Sequence, residues 1–122
     1  MSVVNVKVAY IRPEYENLSV WCADPNNVYI GRRGVVFING ARYPTRDSLF
    51  ANPYKINAQT SRDEVIEKYT EYIKEKLKNN KDLVEELLSL DGKTLGCWCA
   101  PGKCHGDVLL NLIEEYKQKD NS

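Results

Sequence analysis

The segment that most restricts the fold runs from Thr94 to Leu109. It reads Thr-Leu-Gly-Cys-Trp-Cys, then Ala-Pro-Gly-Lys, then Cys-His-Gly-Asp-Val-Leu-Leu. A short, mostly apolar run bounded by turn residues predicts a buried strand over 94–99. Residues 100–103 carry turn chemistry and make a tight loop. Val108, Leu109, Leu112, Ile113 and Tyr116 then recur at helical spacing and predict a helix over 104–117. Strand, tight loop and helix form a basic unit of α/β proteins, whose ligands settle beyond the carboxyl ends of the strands.

The remaining pattern agrees with that class. Val4, Val6 and Val8 alternate with Asn5 and Lys7, which predicts a strand over 3–11 closed by Arg12-Pro13. Val28-Tyr29-Ile30 reads as a second strand, leading into Gly31-Arg32-Arg33-Gly34. Asn39-Gly40 between Val35–Ile38 and Ala41–Tyr43 predicts a β-hairpin with a type I′ turn. Ser61 and Glu64 fit a capping box, and Val65, Ile66, Tyr69, Tyr72, Ile73 and Leu77 follow on one helical face. Asn79-Asn80 ends that helix, and a shorter one covers 82–90. The expectation is an α/β fold: a small single-domain sheet with a parallel core, flanked by helices. Residues 1–117 form the domain and 118–122 a polar tail.

A chain of 122 residues suffices for one domain and is too short for two. Its 43% hydrophobic and 28% charged residues exclude a disordered chain. No apolar run approaches the roughly 18 residues of a membrane span. Residues 1–10 lack the apolar block of a signal peptide, so a cytoplasmic, reduced setting is expected for the four cysteines.

Net charge is zero, but residues 28–58 hold five bases (Arg32, Arg33, Arg42, Arg46, Lys55) against Asp47 alone. Residues 61–91 hold nine acids against six bases. A local basic segment in a neutral protein suits a small anionic ligand better than a long polyanion, which argues against nucleic acid as a partner. The eight tyrosines and two tryptophans leave room for a homo-oligomer.

Candidate chemistry gathers at the start of the last helix. Unpaired first-turn amides and the helix dipole favour an anion there. Gly102 and Gly106 would let a phosphate or carboxylate approach the backbone, and Lys103 adds charge. Cys104 has three open readings. It is a core thiol, a reactive thiol whose pKa the helix end lowers, or a metal ligand. His105, the single histidine, is either a proton carrier or a ring hydrogen-bonded to backbone. Adjacent residues project about 100° apart on a helix, so a direct Cys104–His105 pair is not assured. Asp107 could complement the dipole, orient His105 or act as a base.

Cys97, Cys99, Cys104 and His105 could together hold zinc. Yet zinc sites usually separate paired cysteines by two to four residues across a turn. The cofactor expectation is therefore none, with zinc as the lesser alternative. Elsewhere, Gly31-Arg32 follows a strand and could clamp a phosphate at the same sheet edge. Asn52 could read a base or ribose and Tyr54 could stack on a ring. The plainer alternative there is a capped turn with a core tyrosine.

The run Leu95–Leu109, with Tyr29-Ile30-Gly31-Arg32, Asn52-Pro53-Tyr54-Lys55 and the helix after Ser61, resembles the signature of domain of unknown function 4326. The resemblance covers about residues 26–115. It implies that Arg32, Asn52, Cys104, His105 and Asp107 share one site, in a family of bacteria and viruses, and it names no reaction. The link from Arg33 to Ala51 is longer than the family's short one and includes the hairpin, and Ala51 stands where glycine is usual.

Three functions compete. The first is an enzyme, a transferase or hydrolase, acting on a nucleotide, nucleobase or similar anionic molecule through Cys104, His105 and Asp107. The ligand would be held by Gly31, Arg32, Asn52, Tyr54, Gly102, Lys103 and Gly106. The second is a non-catalytic nucleotide-binding or sensing module, and the third a zinc-stabilised interaction domain.

Overall fold

A computed structural model describes residues 2–54, 59–98 and 104–120. The candidate residues Cys99, Gly102 and Lys103 lie outside the described residues. The strand β1 (Ser2–Asn5) is followed by two short helices, α1 (Val8–Ile11) and α2 (Leu18–Ala23), and by β2 (Asn27–Tyr29). A hairpin of β3 (Val36–Ile38) and β4 (Ala41–Tyr43) precedes α3 (Arg62–Asn79), α4 (Lys81–Ser89), β5 (Thr94–Cys97) and α5 (His105–Asp120). The main sheet has the order β1-β5-β2, with both pairings parallel. The fold is α/β with a parallel core, as expected.

The sheet is covered on both faces, and side-chain alternation assigns each residue to one of them. Val3, Leu95 and Val28 are register partners and face a core built with Tyr69, Ile73, Leu87, Leu109 and Ile113. Val4, Gly96 and Tyr29 are the next partners. Val4 and Tyr29 pack into the second cluster, with Val6, Ile11, Leu18 and Trp21. Gly96 has no side chain because Trp21 and Val6 occupy the space a Cβ would need.

Two expectations need correction. The strand expected over 3–11 ends at Asn5, and Val8–Ile11 is helical. A strand persists only while a neighbour pairs with it. β5 ends at Cys97, opposite Asn5, and Val6 makes the last bond by donating to the Cys97 carbonyl. Asn5 Oδ1 then accepts from Lys7 N and turns the chain. The strand expected over 94–99 likewise ends at Cys97.

The hairpin, the Ser61 cap and the order of the three long helices α3, α4 and α5 agree with the sequence reading. Asn39 and Gly40 both take positive φ, 53° and 81°, as a type I′ turn requires. Ser61 Oγ accepts from Glu64 N. Among the described residues no helix is long and apolar enough to cross a membrane.

Candidate functional site

The carboxyl ends of β5 and β2 meet the first turn of α5. Cys104 precedes α5 as its N-cap. It is not yet helical, so its side chain can fold back over the helix start. Gly106 N donates to Cys104 Sγ at 3.4 Å, and Asp107 N donates to the Cys104 carbonyl at 3.0 Å. Asp107 Oδ2 accepts from Cys104 N at 3.3 Å, which completes a reciprocal cap. The exposed Asp107 carboxylate thus fixes the backbone of Cys104.

His105 is 6% exposed and Cys104 1%. The imidazole Nε2 lies 2.7 Å from the Ile30 carbonyl oxygen. A carbonyl only accepts, so Nε2 carries a proton. In the neutral ring Nδ1 is then the acceptor, and it lies 3.7 Å from Cys104 Sγ. Tyr69 packs edge-on against the ring, with centroids 5.0 Å apart, and its hydroxyl donates to the Phe50 carbonyl at 2.7 Å. Burial drives the Tyr69 phenol well above its ordinary value. The result is a thiol beside an imidazole whose tautomer a main-chain carbonyl sets, the relation that orients base and nucleophile in cysteine enzymes.

Cys97, the last residue of β5, brings its Sγ to 2.8 Å from Cys104 Sγ. Cys97 packs in the α3–α5 core and Trp98 in the opposite cluster. Among the described residues no three His, Cys, Asp or Glu side chains could together hold a metal ion.

The second group of expected residues forms its own cluster. Arg32 Nε donates to the Asn52 carbonyl at 2.8 Å and Nη2 to the Tyr54 carbonyl at 2.9 Å. Asn52 Oδ1 accepts from Tyr54 N at 2.9 Å, a capped turn. The Tyr54 ring meets Tyr72 edge-on at 5.9 Å. A cleft of about 300 Å³ opens here, lined by Arg32, Asp47, Ser48, Asn52, Tyr72 and Lys76 among others. Lys76 Nζ lies 4.8 Å above the Tyr72 ring.

A separate cleft of about 420 Å³ borders Cys104 and Asp107, with Asp63 and Glu67 on its wall. Gly106 is buried against the sheet, where an added Cβ would come within 2.9 Å of Val3 and 3.0 Å of Ile30. Gly31 faces the Tyr29 ring, whose hydroxyl donates to the Arg32 carbonyl at 2.8 Å.

The two clusters are joined through the chain itself, since Ile30 receives His105 and Arg32 braces 52–54. A profile of the domain of unknown function DUF4326 matches residues 14–115. The chain belongs to that family. It is 36% identical over 101 residues to "Uncharacterized protein R718" of Acanthamoeba polyphaga mimivirus, covering 74% of this chain and 71% of the relative. It is also 30% identical over 60 residues to "Uncharacterized 12.4 kDa protein in nrdA-td intergenic region" of Enterobacteria phage T4, covering 49% of this chain and 56% of that one. No solved structure matches.

Sequence reasoning missed Ile30, Tyr69, Tyr72 and Lys76. Ile30 acts through its carbonyl, which has no side-chain signature. Tyr69 and Tyr72 sit in the apolar stripe of α3 and read as core, and Lys76 reads as a solvated charge.

Proposed function

We propose that this protein binds a small anionic, nucleotide-like molecule at the carboxyl edge of its sheet and acts on it as an enzyme, a transferase or hydrolase. The observation that carries the reading is the line from Cys104 Sγ through the His105 ring to the Ile30 carbonyl. In this reading His105 Nδ1 takes the thiol proton, Cys104 Sγ bonds to an electrophilic atom of the ligand, the group displaced from that atom leaves with the proton His105 returns, and the Ile30 carbonyl steadies the imidazolium in between. Asp107 is a positioning residue that holds Cys104 at the helix end.

The cleft beside Arg32 supports the ligand class. Arginine has five N–H donors, and two of those on Arg32 bind main-chain carbonyls. The others, with the Lys76 ammonium, suit a phosphate, and Tyr72 offers a ring. The setting proposed is the reducing cytoplasm, where cysteines stay in the thiol form. The burial of Cys104 and His105 favours one second reading, a module that binds nucleotides without turning them over.

Calorimetry against a panel of nucleobases, nucleosides and nucleoside phosphates tests both. Binding by the wild type should weaken in Lys76→Ala and survive in Cys104→Ser. Turnover, followed by mass spectrometry of the bound compound, should vanish in Cys104→Ser and His105→Gln. Binding without turnover selects the module, and no binding by any member of the panel removes both readings.

A further inference from the structure

The catalytic reading leaves Cys97 unused. Its sulfur nonetheless lies 2.8 Å from that of Cys104, in a pair separated by seven positions in sequence. Cys97 ends a strand and Cys104 directly precedes a helix. Cys97 closes β5, the strand paired on both sides, and Cys104 is pinned by Gly106 N and by Asp107. A disulfide needs its sulfurs at about 2.05 Å, so the pair has only about 0.8 Å left to close.

We propose that Cys97 and Cys104 form an oxidisable dithiol, a modification site at which a peroxide converts the pair to a disulfide. The surroundings are asymmetric, and this assigns the roles. Cys104 borders the cleft of about 420 Å³ between α3 and α5, and Cys97 is not among its lining residues. Cys104 therefore meets the oxidant first and Cys97 resolves.

The chemistry balances with hydrogen peroxide as oxidant. His105 Nδ1 takes the Cys104 proton, and the thiolate sulfur attacks one peroxide oxygen. The O–O bond breaks, the other oxygen leaves as water with the proton from His105, and Cys104 becomes a sulfenic acid. Cys97 sulfur then attacks Cys104 sulfur. The S–O bond breaks, and its hydroxyl departs as water with the Cys97 proton. Two thiols are oxidised by two electrons, and one peroxide is reduced to two waters.

The ring closed is short, so the bond constrains the unfolded chain weakly and adds little as a staple. Its effect is local. It removes the Cys104 thiol from His105, which silences the nucleophile. That consequence rests on the catalytic reading above, whereas formation of the bond does not.

The test treats the full-length native protein with hydrogen peroxide, denatures it, alkylates the remaining thiols and maps the peptides by mass spectrometry. The expected result is a Cys97–Cys104 linkage, reversed by dithiothreitol, with Cys22 still alkylated. Cys97→Ser should instead stop at a Cys104 sulfenic acid, trapped by dimedone. Wild-type protein that keeps both thiols, links Cys104 elsewhere, or carries zinc that shields both thiols overturns the proposal. If the disulfide forms but no nucleotide binds, the dithiol stands and the ligand reading falls.

Discussion

Gly31 is the residue at which the sequence speaks most directly. It reads as part of a phosphate clamp with Arg32, yet an added Cβ would strike the hydroxyl and ring of Tyr29. Gly31→Ala should therefore lower stability by about 1–3 kcal/mol, the usual range for overpacking. In a Tyr29→Ser background, which empties that space, the same change should cost less, and urea unfolding of the four proteins gives the coupling.

Tyr29 makes a second prediction. Burial pushes its phenol up to about 12, despite the Trp98 indole N–H donated to its oxygen. The folded state thus holds its proton more tightly than the unfolded chain, whose value is near 10.0. Stability is fully present below pH 10.0 and falls as pH rises toward about 12. Tyr69 shifts in the same direction. Tyr29→Phe should flatten the decline in urea midpoints across that window. At this scale the chemistry-bearing side chains were legible, because Cys, His, Asp and Arg announce themselves. The Ile30 carbonyl was not, since every residue has one.

Elements with strong local chemistry were the legible ones. The hairpin declared itself through Asn39-Gly40, and α3 through Ser61 and its apolar stripe. Helix α2 was missed although Asn17 caps it, with Oδ1 accepting from Val20 N. The four positions Val8–Ile11 were misread because three of them are apolar and Val8 continues the valine alternation, while their conformation is decided by the absence of a partner strand.

The hairpin permits a clean test of element independence. Among the described residues β3 and β4 pair only with each other, so their ladder is separate from the main sheet. Gly40 has φ +81°, and open space surrounds the position a Cβ would take. Gly40→Ala therefore carries only the backbone strain of the left-handed region, about 1–2 kcal/mol. Amide exchange should quicken at Ile38 and Tyr43, which belong to the hydrogen-bonded pairs of the ladder, and stay unchanged at Leu95 and Gly96. Equal acceleration at all four would mean that the hairpin unfolds with the core.

At the scale of the molecule, the parallel core was legible from the strand–loop–helix unit, but the strand order was not. β5 comes last among the strands and lies at the centre. Its run Leu95-Gly96-Cys97, buried throughout, is the composition of a strand covered on both faces. The consequence is that the site depends on β1, which lies before the family match begins at residue 14. Val3 of β1 and Ile30 beyond β2 close on Gly106 from two sides, so the first turn of α5 seats against both flanking strands.

Gly106→Ala sets two effects against each other. Alanine favours a helix interior by about 1 kcal/mol over glycine. The Cβ at 2.9 Å from both Val3 methyls and 3.0 Å from Ile30 forces the turn off the sheet, which costs about 1–3 kcal/mol. The steric term should win because the valine methyls are short and cannot swing away. Lifting the turn also lengthens the His105–Ile30 bond, so the Nε2 proton resonance should shift or broaden along with the loss of stability. Val3→Ala removes the two nearest methyls and should restore both readouts together. Recovery of stability without recovery of the imidazole signal would mean that the ring is held by Tyr69 and the α3 packing rather than by the seating of α5 on the sheet.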